Sequence, residues 1–234
     1  PYDWPPPWRT DRLFGHEAAE KTMLDAHASG RLHHAWLLAG PRGIGKATLA
    51  WRFARFLLCG QQQGGLFGGA NAVLKILEEP PPNAVLLIVT HAPGRLLPTI
   101  RSRCRRLALQ PLAEDILARL LAQHAPSLKE EERAALALLS DGSIGRALDL
   151  SGSGSLDLYG ELVGLLATLP DLDVPRLHGF AERFAKKGEE ANAAWRSLNY
   201  LFDGWLKALA RSAATGIDPP PVVAAERGLQ ARLR

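Results

Sequence analysis

Gly40-Pro41-Arg42-Gly43-Ile44-Gly45-Lys46-Ala47-Thr48 has the residue types of a loop that holds phosphate. Gly40, Gly43 and Gly45 let backbone N–H groups curl around phosphate oxygens, and Lys46 can reach the outer phosphates of a nucleotide. The residue after the lysine in such a loop supplies a hydroxyl to magnesium. Ala47 holds that place, and Thr48 stands one residue late, about 100° around a helix, with its hydroxyl turned from the metal. A fold built for ATP is expected, with nucleotide bound weakly or not at all. A second candidate is the arginine-rich run Arg95…Arg101-Ser102-Arg103-Cys104-Arg105-Arg106. A guanidinium offers a planar fork of donors that can stabilise charge on a transferring phosphate. The same cluster also reads as a solvated basic edge, with DNA phosphate as a minority option.

Both candidates need a scaffold. Ala35-Trp36-Leu37-Leu38-Ala39 reads as a buried strand that feeds the loop, and Leu49, Phe53, Phe56 and Leu57 follow at helical spacing. Upstream, Leu13-Phe14-Gly15-His16 introduces a helix with Ala19, Met23 and Ala26 on one face, ending near Gly30. A short helix is expected from Ala70 to Glu79, stopped by Pro80-Pro81-Pro82. Ala84–Thr90 reads as a second buried strand and Arg105–Leu109 as a short third. Such apolar runs fit a parallel sheet covered by helices on both faces.

From Pro111 the pattern is helical only. Ile116, Leu117, Leu120 and Leu121 mark one helix, Ser127 with Glu130 reads as a capping box opening a second, and Asp141-Gly142-Ser143 opens a third. Ser151–Ser155 reads as a linker. Two longer helices follow, one striped by Val174, Leu177, Phe180 and Phe184, the other by Trp195, Leu198, Phe202, Trp205 and Leu209, and both stripes read as core.

At 234 residues and 47% hydrophobic, the chain can bury a real core in one large or several small domains. A net charge of +4 permits contact with nucleic acid without arguing for it. Cys59 and Cys104 form no CxxC pair, so neither a disulfide framework nor a complete zinc site is written in the chain. No basic segment precedes an apolar one at the N-terminus and no run can span a bilayer, so no membrane is expected and a reducing cytoplasm is the expected compartment. His16 and His34 read as satisfied structural histidines.

Four segments together resemble one family, the AAA+ clamp-loader subunits. They are His34–Leu38 leading into Gly40–Lys46, Asn71–Pro81, the triplet Ser102-Arg103-Cys104 after Pro98–Arg101, and Gly142–Leu148. The asparagine-to-proline helix followed by the serine-arginine-cysteine triplet is the specific part. The resemblance implies an α/β AAA+ P-loop domain over 1–110, a three-helix lid over 111–152 and an all-α collar and oligomerisation domain over 153–234. It also gives roles to single residues. Arg103 would act on ATP held by a neighbouring subunit, and Thr90 would match a first-sensor position. Cys59 would match the first of four zinc ligands, although a buried thiol explains it equally well.

The chain departs from the family's ATP-hydrolysing motors at three places. Ala47 is the first. The second is Gly145, which stands where motors carry a sensing arginine, with Arg146 one residue along on another helical face. The third is the lack of an apolar run ending in paired carboxylates, the strand that would hold magnesium. The stretch from Lys46 to Asn71 is too short for the missing strands, since each parallel crossover needs about a dozen or more residues. Either those strands are lost, or a segment is missing from the sequence near 60–69; the second is the expectation, because a sheet without them leaves backbone groups seeking partners.

The expectation is thus a mostly non-hydrolysing ring subunit that supplies Arg103 in trans. Its implied partners are the clamp loader's motor and delta subunits, with the sliding clamp and primed DNA reached through the complex, in the bacterial cytoplasm at the nucleoid replisome. ATP would sit weakly or not at all at Gly40, Gly43, Gly45, Lys46 and Thr48, and zinc is possible. The alternatives are an active AAA+ ATPase, a motor subunit or relative using Lys46 and Thr48, and a DNA-binding module acting alone.

Overall fold

The computed structural model describes residues 6–10, 12–59, 84–152, 154–185, 188–227 and 229–233. The expected helix at Ala70–Glu79 and the Asn71–Pro81 segment lie outside them, as does the Cys59 side chain. Contacts divide the chain into two units, Asp3–Ile116 with Gly142–Gly145, and Leu117–Asp141 with Arg146–Arg234.

In the first unit, helix α1 (Glu17–Ala28) opens with Glu17 and Glu20 near its positive end and buries Met23 and Ala26 one turn apart. Strand β1 (Ala35–Ala39) is buried along its whole length. It lies between β2 (Leu86–Thr90) and β3 (Arg105–Ala108), both parallel to it, so that the described order is β2-β1-β3. Its central place explains why five apolar residues run without alternation. Helix α2 (Lys46–Cys59) leaves the end of β1 through the glycine loop and packs Leu49, Ala50 and Phe53 against Met23, Trp36 and Leu38. Arg52 and Glu20 join α2 to α1 at 2.8 Å. Helix α3 (Pro98–Ser102) then leads into β3.

Two strand expectations need correcting. β2 is only half-buried, with Val89 42% exposed, and β3 exposes Arg105, Arg106 and Ala108. Each has one described neighbour, β1, so one side of each is not covered by another described strand.

The second unit is helical: α4 (Glu114–His124, whose first turn belongs to the first unit), α5 (Glu130–Leu139), α6 (Ile144–Ser151, entering after Gly145), α7 (Ser155–Leu166), α8 (Val174–Ala185), α9 (Glu189–Thr215) and α10 (Leu229–Leu233). Leu117, Leu121, Leu136, Val163 and Leu201 form its driest positions. Tyr159 Oη donates to the carboxylate of Glu226, which also accepts from the Val223 N–H at 3.2 Å. Burial first, then the neighbouring Glu226 carboxylate, pushes the Tyr159 hydroxyl well above the ordinary tyrosine range.

Three further expectations are corrected here. The helix expected at Ser127 starts at Glu130, because Glu132 accepts the Lys129 N–H at 2.7 Å and closes the N-terminus two residues later. At the expected Ser151–Ser155 linker, a helix already runs through Ser151 and Ser155 is already buried in α7, while Ser153 lies outside the described residues. The α8 stripe is not core: Val174 is 52% exposed and no described residue of that helix is buried. Phe184 instead meets Phe180 and Trp195 edge-on at 5.5 Å each, a surface cluster. On α9, Leu201 and Trp205 are buried whereas Trp195 and Phe202 face outward.

Candidate functional site

The loop residues stand where the sequence places them, at the end of the central strand and the start of α2. Gly43 and Gly45 take positive φ of 77° and 105°, conformations that turn the peptide planes of a phosphate-binding loop. His16 Nε2 lies 2.7 Å from the Ile44 carbonyl and fixes the loop to the start of α1, which satisfies one of the two structural histidines. His34 does not follow: its buried Nε2 has no hydrogen-bond partner among the described residues, and the ring stacks on His33 at 4.4 Å.

The loop is closed on itself and on the segment Gly142–Gly145. Lys46 is 6% exposed, and its ammonium donates to the Pro41 carbonyl. Ser143 Oγ donates to the Arg42 carbonyl at 2.7 Å, and the Gly145 N–H donates to the Gly43 carbonyl at 3.0 Å. Three consecutive loop carbonyls are therefore each engaged. The contact at Gly145 is tight for any larger residue, since a Cβ there would stand 3.1 Å from the Gly43 Cα and the loop backbone would have to give by a few tenths of an ångström. Burial draws the Lys46 ammonium below the usual lysine range, as expected for a cation withdrawn from water without a carboxylate beside it.

Beside what a magnesium nucleotide needs, this donor set lacks one group, the hydroxyl next to the lysine. Ala47 brings no hydroxyl, Lys46 donates to a carbonyl of its own loop, and the Gly142–Gly145 segment meets the loop directly. Among the described residues, no hydrogen bond of the Thr48 hydroxyl joins the cluster. Thr90 is brought close: it pairs in register with Ala39, the residue before the loop, and its Oγ1 accepts the Ala92 N–H at 3.1 Å. That local turn accounts for its hydroxyl as found.

Arg146 points elsewhere. Its guanidinium lies 4.2 Å over the Tyr200 ring and donates to Tyr200 Oη at 3.0 Å, and that hydroxyl donates in turn to the Leu139 carbonyl at 2.7 Å. The residue one place after Gly145 thus holds α6 to α9 rather than serving the loop.

Arg103 caps the end of α3 and donates to the Thr99 carbonyl at 3.1 Å, as Ser102 Oγ does at 3.2 Å. Arg95, Arg101, Arg105 and Arg106 are exposed around it. Cys104 is a free thiol that burial pushes upward, away from reactivity. Among the described residues no cluster of three His, Cys, Asp or Glu could hold a metal ion, and no helix is long and apolar enough to cross a membrane.

The contribution that sequence reasoning missed is that of Ser143 and Gly145. The Gly142–Leu148 motif was visible, but its partner lies about a hundred positions away, and only the fold joins the two.

The family model described as DNA polymerase III, delta subunit matches residues 15–66 and 67–113, two blocks that abut at Leu66 and Phe67. The chain is 27% identical to the DNA polymerase III subunit delta' of Escherichia coli (strain K12), covering 86% of this chain and 78% of that protein. That alignment is 267 positions long, more than the 234 residues of this chain, so the relative carries residues with no counterpart in it. The delta' subunit of Pseudomonas aeruginosa is 40% identical over 40% of this chain and 29% of its own length. The gamma subunit of Buchnera aphidicola subsp. Schizaphis graminum is 24% identical over 74% of this chain and 66% of its own.

Proposed function

This chain belongs to the DNA polymerase III clamp-loader family as a delta-prime-type subunit, and on that premise we propose that it works in the ring without hydrolysing ATP. Catalysis then occurs across an interface: Arg103 reaches ATP held by an adjacent motor subunit and stabilises charge on the transferring phosphate. The assembled loader, with motor and delta subunits, opens the sliding clamp and sets it on primed DNA in the bacterial cytoplasm at the replisome.

The observation that carries this reading is the closed loop, with Ser143 and Gly145 on the Arg42 and Gly43 carbonyls and Lys46 on Pro41. A lysine bonded within its own loop, with Ala47 beside it in place of a hydroxyl, supports a subunit that does not turn over ATP. Three domains follow in this reading, α/β over 1–110, lid over 111–152 and collar over 153–234. The exposed apolar residues Val174, Leu177, Trp195 and Phe202 support a collar that seats against neighbouring subunits. The two abutting family blocks support the absence of a segment near 60–69, the segment in which a magnesium-binding strand and the companions of Cys59 at a zinc site would lie.

The test is equilibrium dialysis of magnesium-ATP against the purified chain, together with its turnover. No turnover above that of Lys46→Ala is expected. Turnover abolished by Lys46→Ala would establish the alternative, an active AAA+ ATPase.

A further inference from the structure

The sheet has a second end, remote in register from the phosphate loop. There a cavity of about 590 Å³ is lined by Thr22, Asp25, Ala26, Ser29, Arg31 and Arg105. Arg31 follows the C-terminus of α1, where its N–H donates to the Ala26 carbonyl at 3.1 Å. Arg105 opens β3 and pairs in register with Trp36, the second residue of the central strand. Two guanidiniums from distant parts of the chain therefore face one space, and neither has an ion-pair partner among the described residues.

Arg105 is preorganised. Its guanidinium lies 4.9 Å from the centroid of the Trp36 ring, and that ring is fully buried in the core. Stacking on a fixed aromatic face holds the plane of the fork and leaves its N–H edges free for an anion. The remaining groups decide the sign of the ligand. Thr22 and Ser29 already donate their hydroxyl protons to the Ala18 and Ala26 carbonyls, so the guanidiniums are the side-chain donors left in the wall. Asp25 is one carboxylate against two permanent cations, and the local balance is positive. The surrounding sequence deepens it: from Pro80 to Ala113 there is no Asp or Glu, while Arg95, Arg101, Arg103, Arg105 and Arg106 all fall within that stretch.

We propose that Arg31 and Arg105 form a phosphate-binding site at the β3 end of the sheet, separate from the nucleotide loop. The ligand class is a phosphate group, carried by a nucleic-acid strand or by a free oligophosphate. The site does not rest on the ring-subunit reading, because it is tested on the purified chain by direct binding.

The experiment measures fluorescence anisotropy of a labelled primed-template oligonucleotide as salt is varied, beside protection of arginines from phenylglyoxal, mapped by mass spectrometry, with the oligonucleotide or inorganic pyrophosphate present. Arg105→Ala and Arg31→Ala are each expected to weaken oligonucleotide binding at least about threefold and to lower the salt slope by about one phosphate contact. Arg106→Ala, adjacent on the strand but outside the cavity, is expected to do neither. Arg105→Lys keeps the charge without the fork and should fall between. Protection of Arg31 and Arg105 by pyrophosphate, with no oligonucleotide bound, upholds the site and assigns a free phosphate as its source. Equal losses in Arg105→Ala and Arg106→Ala, or protection of neither cavity arginine by either probe, would overturn it.

Discussion

The phosphate loop and the arginine-bearing segment from α3 to β3 share one sheet and are treated by the fold in opposite ways. In the loop, the lysine is turned inward, buried on the Pro41 carbonyl, and the Arg42 and Gly43 carbonyls accept from Ser143 and Gly145. Across the sheet, Arg101, Arg105 and Arg106 stand in solvent, and Arg103 bonds back to its own helix at Thr99. These bonds tie the loop to the Gly142–Gly145 segment. Exposure leaves the arginines able to meet something outside the chain. The proposed role, an arginine lent to a neighbour without hydrolysis at the chain's own loop, is compatible with that division.

The comparison breaks most sharply at Gly145. Gly145→Val places a branched side chain against the Gly43 backbone, already 3.1 Å from a Cβ, and should lower stability by about 1–3 kcal/mol in urea unfolding. Arg101→Ala, on the exposed side, should stay within about 0.5 kcal/mol of the parent. Similar values for the two would mean that the loop is not held by the lid.

Ser143→Ala tests the same seat more gently. Ser143 is fully buried, and loss of its bond to the Arg42 carbonyl should cost about 1 kcal/mol. An unchanged unfolding midpoint would remove that bond from the account.

Lys46 gives the smallest effect, and its sign is fixed by burial. Its pKa is lower in the folded chain than the ordinary 10.5, so the unfolded chain binds more protons between those two values. Folding stability should therefore rise with pH across that window and level off near about 10.5. In Lys46→Met the rise should vanish, which paired unfolding curves at several pH values would show.

Much of this contrast was legible in the chain. Ala35–Ala39 is too uniformly apolar for a half-exposed strand, and it is the buried centre; the loop follows it as the glycines require. Ala84–Thr90 carried the same signal and is only half-buried, because an apolar run does not say how many neighbours a strand has. The α8 stripe failed similarly: helical spacing identifies an apolar face but not what covers it. At the loop, Ala47 and Gly145 were readable as departures from a motor. That Gly145 and Ser143 then occupy the loop was not readable, since it depends on contacts between segments about a hundred residues apart.

The central claim is tested most directly by ATP turnover of a reconstituted clamp loader, with clamp and primed DNA present, comparing this subunit with its Arg103→Ala variant at equal assembly. A fall of at least about tenfold is predicted, since a guanidinium on a transferring phosphate is worth that and more. Unchanged turnover with assembly intact would contradict the account and return Arg103 to the basic edge of the sheet.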